Sequence, residues 1–364
     1  MSSKKSQVLV AGNATIDALV EGKVVRVSDD HVRVVRRGKV RDFYVVDGPI
    51  VEGYKHRTDI RDMEAHIRGL KVELGGGGGG FNTITSMIDR AEHNSEVSGF
   101  YMDISDGDPL ITEQLDRRSI KYDFFSHRPV PTNAILGIDR DDKIILKGRT
   151  LDRKDVTAKD IESIDSAVSS SNLVSLNGVK DVSFAEALIN SSTKHGKLLF
   201  FNVTPSLESD FVLKRVLSSG VVQISYEDIA KLFGENPLKY SKDQLFSMAV
   251  DYMRKIRTDG LNDGQTLVVT AGSRGAFVMT PRSGIRHLSL KPDTADQVAY
   301  DASTKEGSTN GAGDVFHGSL VIQHLWRRRV DPIDLVTRAS KAAVRYIGYQ
   351  GELRANSFNI KKYR

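Results

Sequence analysis

The chain has 364 residues, 39% of them hydrophobic and 27% charged, with 52 basic against 47 acidic side chains and a formal net charge of +5. This balance excludes disorder and fibrous repeats, supplies apolar surface for one large core, and favours solubility over polyanion binding. The lack of any Cys removes disulfides, Cys-ligated zinc, iron–sulfur clusters and thiol nucleophiles, and leans toward a reducing compartment.

Met1 to Gln7 is polar and runs straight into the short apolar stretch Val8 to Ala11, without the apolar core and small-residue cleavage site of a secretory signal. No stretch approaches the ~18 consecutive apolar residues of a membrane helix. A cytoplasmic protein is expected, with neither membrane nor nucleic acid as a partner.

Val8 to Ala11, closed by Gly12, predicts a buried first strand ending in a turn. From Lys23 to about Tyr54 the valines at 24, 25, 27, 32, 34 and 35 and the run Phe43 to Val46 are separated by Ser28-Asp29-Asp30, Gly38 and Asp47-Gly48-Pro49, the pattern of antiparallel hairpins. The basic cluster Arg33 to Arg41 alternates with valines and suits strands with one solvated face; Arg327-Arg328-Arg329 follows an apolar helix, where cations complement the carboxyl-end dipole.

Helices are predicted at Phe81 to Arg90 and Pro109 to Arg118, with a strand at Val97 to Met102 between them. Ala134 to Ile138 and Lys143 to Leu146, flanking Asp139 to Asp142, form a second hairpin. Beyond the loop expected at Ser169-Ser170-Ser171, strands at Leu173 to Leu176, Leu198 to Phe201, Val221 to Ile224 and Leu267 to Thr270 alternate with helices at Phe184 to Ser191, Asp210 to Leu217 and Gln244 to Ile256. That alternation predicts a mostly parallel sheet covered on both faces, with the two hairpin segments as one separate lid.

Gly75 to Gly80 is a run of glycines that lets backbone approach a ligand and feeds a helix near Phe81. Gly75, Gly77 and Gly80 satisfy the dinucleotide fingerprint and Asp103 follows at the next strand's end, so an NAD-dependent oxidoreductase is one reading. A flexible turn without a ligand is another. Near the carboxyl end, Gly311-Ala312-Gly313-Asp314-Val315-Phe316 opens a helix running to Trp326, exposing N–H groups where negative charge develops. Asp314 is placed there as a base, or as simple dipole complementation.

Together with Gly77-Gly78-Gly79-Gly80-Phe81-Asn82, this motif resembles the two signatures of the ribokinase-like (pfkB) family of sugar and nucleoside kinases, whose patterns are Gly-Gly-x-Gly-Ala-Asn early and Asp-Thr-x-Gly-Ala-Gly-Asp-x-Phe late. Gly12 to Asp17 resembles the family's first strand and turn, Val130 to Ile135 with Asp139 to Asp142 its lid hairpin, and Thr270-Ala271-Gly272-Ser273-Arg274-Gly275 its nucleotide loop. The resemblance implies a three-layer α/β/α domain over 1–364, with a mostly parallel central sheet and a small β-rich lid from about 23–66 and 128–149. It implies phosphoryl transfer from ATP with Mg2+ to a sugar or nucleoside hydroxyl. Asp314 would be the base and the N–H groups of Gly311, Ala312 and Gly313 the anion hole; Asp17, Asn13, Gly77, Gly78 and Asn82 would bind substrate. Thr270, Gly272, Gly275, Ser225 and Asp228 would bind nucleotide, with Glu227 or Asp228 reaching the metal through water.

The sequence departs from the family at Ser308, where an Asp helps to hold a monovalent cation, so potassium dependence is not implied. Ser225-Tyr226-Glu227-Asp228 replaces Asn-x-x-Glu, and Phe201 to Pro205 lacks Asp-Pro-Asn. These changes fit a divergent substrate group or a weakened, inactive homologue. A homodimer through lid edges is expected, since isolated hairpins are marginal in water.

Overall fold

The computed structural model describes residues 6–46, 50, 55–91, 97–137, 143–147, 156–204, 207, 209–216, 220–261, 264–291, 311–326, 331–347 and 358–363. The chain opens with β1 (Ser6–Gly12) and β2 (Thr15–Glu21), then β3 (Lys23–Ser28), β4 (His31–Arg36) and β5 (Lys39–Tyr44). Short β6 (Lys55–Arg57) and helix α1 (Met63–Ile67) lead to β7 (Lys71–Gly77), α2 (Gly79–Ala91), β8 (Val97–Ser105), α3 (Pro109–Arg117) and β9 (Lys121–Arg128). The hairpin β10 (Thr132–Gly137) and β11 (Lys143–Lys147) precedes α4 (Ala158–Ser170), β12 (Leu173–Asn177), α5 (Val182–Lys194), β13 (Leu198–Asn202) and β14 (Val221–Ser225). Then come α6 (Tyr226–Leu232), α7 (Lys242–Gly260), β15 (Thr266–Thr270), β16 (Ala276–Thr280), β17 (Gly284–Leu290), α8 (Ala312–Trp326), α9 (Pro332–Tyr346) and β18 (Phe358–Tyr363).

The main sheet has the order β18-β17-β16-β15-β14-β13-β12-β1-β8-β9. It is parallel from β9 through β15 and antiparallel across β16, β17 and β18. Its central strands read as continuous apolar runs because both faces are covered. One face packs Ile164 and Val168 of α4, Phe184 and Leu188 of α5, Ile229 of α6 and Met253 of α7. The other packs Phe81, Ile84 and Met87 of α2, Ile111 of α3, Phe316 and Leu320 of α8 and Val336 of α9. The expected three-layer α/β/α architecture is therefore the observed one.

A second sheet, ordered β6-β11-β10-β2-β7, stands apart from the first, and β3-β4-β5 form a third. Val32, Val34 and Phe43 of the hairpin pack with Ala18, Val20, Ala134, Leu136, Ile144 and Leu146 of the five-stranded sheet in a separate cluster, closed by Met63 and Ile67 of α1. Two of the five strands, β2 and β7, lie outside the expected ranges 23–66 and 128–149. Their apolar alternation is short and their partners distant, so only pairing reveals them. The glycine run also differs from expectation: Gly75 to Gly77 complete β7 and Gly79 already begins α2. Gly75 pairs across from Asp17, which gives the glycines a strand partner. Ser169 and Ser170 end α4 instead of forming a loop.

Of the basic cluster, Arg41 is structural: its guanidinium donates to the carbonyls of His66 at 2.7 Å and Arg68 at 2.9 Å, tying the hairpin to α1. Arg33 donates to Asp42 at 2.7 Å from the outer face. Arg327 to Arg329 and Asp139 to Asp142 lie outside the described residues. The hairpin covers one face of the five-stranded sheet, whose edge strands are β6 and β7. Among the described residues no helix is long and apolar enough to cross a membrane.

Candidate functional site

The main-sheet strands β1, β8, β9 and β12 to β15 run in one direction, so their carboxyl ends line one rim: Gly12 pairs with Asn177, Asn177 with Asn202, and Ser225 with Thr270. Ligands in open α/β sheets bind outside such a rim. The lid strands β2 and β7 descend to it with Asp17 and Gly77, and α2 and α8 point their amino termini toward it.

Asp314 lies in the first turn of α8. Asn82 Nδ2 donates to its Oδ2 at 3.0 Å and Asn177 Nδ2 to its Oδ1 at 2.9 Å, so both carboxylate oxygens are held. Asn177 is buried and also donates to Thr83 Oγ1 at 2.7 Å, while its Oδ1 accepts from Asn202 Nδ2 at 2.9 Å. The turn before Asp314 depends on Gly311 at φ 86°, a left-handed conformation that disfavours other residues. A Cβ there would also stand 3.1 Å from Tyr346 Oη. Burial pushes the Tyr346 phenol up, with Asp314 and Asp17 adding to the shift.

Behind this turn runs a buried polar chain. Gln223 Nε2 donates to the Gly313 carbonyl at 3.4 Å, Gln223 Oε1 lies 3.1 Å from His317 Nδ1, and His317 Nε2 lies 3.0 Å from Ser175 Oγ. With the Gln223 amide donating to Gly313, its oxygen must accept, so His317 carries its proton on Nδ1 and accepts from Ser175 on Nε2. Burial pulls the His317 imidazole down to about 3, which keeps it neutral.

On the lid side Asp17 Oδ1 accepts from Asn133 Nδ2 at 2.9 Å and Thr15 Oγ1 at 3.0 Å. Gly77 faces this carboxylate, and any side chain there would strike it. Asn13 is buried against Gly178, and Gly78 abuts the Asn13 carbonyl. Asp17, Asn13, Gly77, Gly78, Asn82 and Asp314 thus come from β2, the turn before it, β7 and its link to α2, α2 itself and α8.

On the other side of α8, Ser225 caps α6, its Oγ accepting from the Asp228 N–H at 3.0 Å. Asp228 is paired with Lys231 at 3.1 Å. Burial pushes the Glu227 carboxyl up. Thr270 ends β15, and the following loop is closed by the Ala271 N–H donating to the Gly275 carbonyl at 2.8 Å. Among the described residues nothing stands within 4 Å of a Cβ built at Gly313 or Gly272, and the α8 amino terminus beside Gly313 is a place that favours an anion. These residues fit ATP. No group of three or more His, Cys, Asp or Glu among the described residues could hold a metal unaided, so a magnesium ion here would depend on phosphate oxygens. Ser308 and Asn310 lie outside the described residues.

Asp103 does not serve as a ribose ligand: it is 1% exposed, with Oδ2 accepting from the Ala14 N–H and Ser105 Oγ, each at 2.8 Å. Asn177, Gln223 and His317 escaped sequence reading. A polar residue immediately after the apolar run Leu173 to Leu176 was the available signal for Asn177.

No family model matches the sequence, and no curated protein does. Solved structures do. Adenosine kinase of Trypanosoma brucei brucei superposes with a TM-score of 0.64 at 14% identity, covering 95% of this chain and 100% of that one. Ribokinase of Arabidopsis thaliana, complexed with ribose and ATP, gives 0.60 at 15%, covering 96% and 94%. Phosphofructokinase-2 of Escherichia coli, with fructose-6-phosphate, gives 0.58 at 12%, covering 94% and 93%. The chain has the ribokinase-like fold along nearly its whole length, and these neighbours are sugar and nucleoside kinases.

Proposed function

We propose that residues 1–364 form one kinase unit that transfers the γ-phosphoryl group of ATP to a hydroxyl of a sugar or sugar-like small molecule beneath the lid. A single observation carries this reading: Asp314, in the first turn of α8, has both carboxylate oxygens held by Asn82 and Asn177. A fixed carboxylate beside an anion-favouring turn is what an in-line transfer to an alcohol needs.

When bound, ATP with magnesium supplies the electrophilic phosphorus and a leaving group. Asp17, held by Asn133, accepts hydrogen bonds from substrate hydroxyls and orients them, with Asn13 and Asn82 beside it. Asp314 takes the proton of the attacking hydroxyl, its two oxygens held in place by the hydrogen bonds from Asn82 and Asn177. The N–H groups of Gly311 to Asp314 face the charge that develops, and the Gln223 contact to the Gly313 carbonyl fixes their direction. Thr270, Gly272, Gly275 and Ser225 border the nucleotide, and Glu227 and Asp228 are the carboxylates within the same loop cluster for water-mediated contact to magnesium.

The test is ADP formation from ATP with magnesium across sugars, sugar phosphates, nucleosides and inositols, beside thermal shifts with ATP, ADP and NAD. Acceptor-dependent ADP formation and stabilisation by ATP or ADP are expected. Preferential stabilisation by NAD would support the oxidoreductase reading, and nucleotide binding without turnover an inactive homologue.

A further inference from the structure

Among the described residues the chain passes between the main sheet and the lid three times: from β1 to β2 through Gly12-Asn13-Ala14, from β7 to α2 through Gly78, and from β9 to β10 through 129–131. A fourth passage, 148–155, lies outside them. All three are tied, directly or through the first turn, to the carboxyl end of β8. Tyr101 Oη donates to the Gly12 carbonyl at 2.9 Å and the Ala14 N–H donates to Asp103 Oδ2 at 2.8 Å, so one strand grips the first turn on either side of Asn13. Gly78 abuts the Asn13 carbonyl, and a Cβ at Gly12 would stand 2.8 Å from Gly80 Cα. At the third passage the Asp106 N–H donates to the Arg128 carbonyl at 2.8 Å, and the Pro131 carbonyl accepts from the Ile16 N–H at 2.9 Å.

A central strand does not need such side chains for the fold alone. On the same sheet face the neighbouring strands carry Val8, Val10 and Leu173, whereas β8 buries Tyr101, Asp103 and Ser105 there. A carboxylate so placed is costly unless hydrogen-bonded and opposed by a cation. Burial pushes the Asp103 carboxyl up, while the Ala14 N–H, the charge of Arg128 and the Ser105 hydroxyl hold it down. Burial also pushes the Tyr101 phenol well up, which keeps it a donor. The backbone these groups grip leads straight to the site: Ala14 adjoins β2, and Asp17 stands about 10 Å along that strand. A tilt of about 10° at Ala14 therefore moves Asp17 by about 2 Å, and a transfer that depends on alignment loses about 10²-fold for such an error. At its other end the turn adjoins the support of Asp314, since Gly12 pairs with Asn177 and Asn177 donates to Asp314.

We propose that Tyr101 and Asp103 are positioning residues for the phosphoryl acceptor: they clamp the turn around Asn13 and so set where Asn13 and Asp17 stand relative to Asp314. This rests on the kinase reading for the acceptor, though not for the clamp itself, which acts in the unliganded chain.

The chain has no Cys, so spin labels attach only where cysteines are introduced. With labels at Glu73→Cys on β7 and Glu162→Cys on α4, both exposed, pulsed electron resonance reads the distance between lid and main domain. Tyr101→Phe keeps the ring against Phe124 and removes only the donor; Asp103→Asn keeps an acceptor for Ala14 and removes the charge. Both should broaden the distance distribution or shift it by about 2 Å or more. Ile84→Val, which trims a fully buried side chain on the same face without touching a hydrogen bond, should leave it unchanged. Where Asp103→Asn fails to fold beside an unopposed Arg128, Tyr101→Phe decides alone. An unaltered distribution in Tyr101→Phe, or the same alteration in Ile84→Val, would overturn the clamp. In parallel, ADP formation is followed with D-ribose, fructose-6-phosphate, adenosine and myo-inositol. Tyr101→Phe should raise the acceptor KM about 10-fold with the KM for ATP unchanged, a split that general loss of stability does not produce. An acceptor KM that stays put, or rises only together with that of ATP, sinks the positioning role and leaves the kinase standing. A distance change in a chain that forms no ADP from any of the four counts against the kinase reading and leaves the clamp in place.

Discussion

In the proposed mechanism Asp314 and the amides around it would concentrate the chemistry into a few side chains, each open to a distinct test. Asp314→Asn keeps size and hydrogen bonding but loses the charge, so kcat should fall by about 10²-fold or more with ATP affinity retained in equilibrium titration. Asn177→Asp replaces a donor 2.9 Å from Asp314 with a like charge. Two carboxylates so close resist joint ionisation, so the acidic limb of the kcat/KM profile should move to higher pH by about one unit or more. His317 reports on stability instead. Its folded pKa, pulled down to about 3 by burial, lies below the ~6.5 of an unfolded imidazole. The unfolded chain therefore binds the extra proton, and the contribution present above pH ~6.5 is lost as pH falls toward 3. His317→Gln should lower stability at pH 7 and flatten this decline, as read from urea unfolding at pH 7 and pH 4.5.

Among the elements, the β3-β4-β5 hairpin has the clearest separate role. Its inner face, Val32, Val34 and Phe43, is fully buried against the five-stranded sheet, in a cluster distinct from both faces of the main core. Phe43→Ala should cost about 3–5 kcal/mol, the usual range for emptying such a site. Since the lid cluster stands apart, hydrogen exchange should accelerate in β2, β10 and β11 while β1 and β14 stay protected. Replacing residues 23–44 by a short Gly-Ser turn would bare Ala18, Val20, Ala134, Leu136 and Leu146 to water. A sheet so exposed should associate, visible as a larger species in sedimentation at micromolar concentration.

At the scale of the whole molecule, the proposed site draws on two parts of the fold: the three-layer domain carries Asp314, Asn82 and Asn177, and the five-stranded sheet carries Asp17 and Asn133. Helix α2 belongs to the first part but grows directly out of β7 of the second, with Gly78, at φ 96°, between them. A change in lid angle would therefore alter the distance between Asp17 and Asp314 without disturbing either core. Binding of acceptor together with ADP should slow exchange of the β2, β7 and β10 amides more than either ligand alone; equal protection by ADP alone would mean that the lid does not respond to acceptor.

The alternation of apolar strands and amphipathic helices, the two glycine motifs and the base candidate Asp314 were legible in the sequence, because periodicity, helix starts and glycine-dependent turns are local properties of the chain. So was the order of the motifs, which pointed to the fold. The membership of β2 and β7 in the lid was not, since a strand's sheet is decided by its partners, and theirs lie as far apart as Asp17 and Asn133. Asn177 meets Asp314 across 137 positions, and Gln223 meets Gly313 across 90. Arg128 in sequence is one cation among many; only packing shows that it is buried beside Asp103, because desolvation is a property of the assembled interior and not of any residue within it.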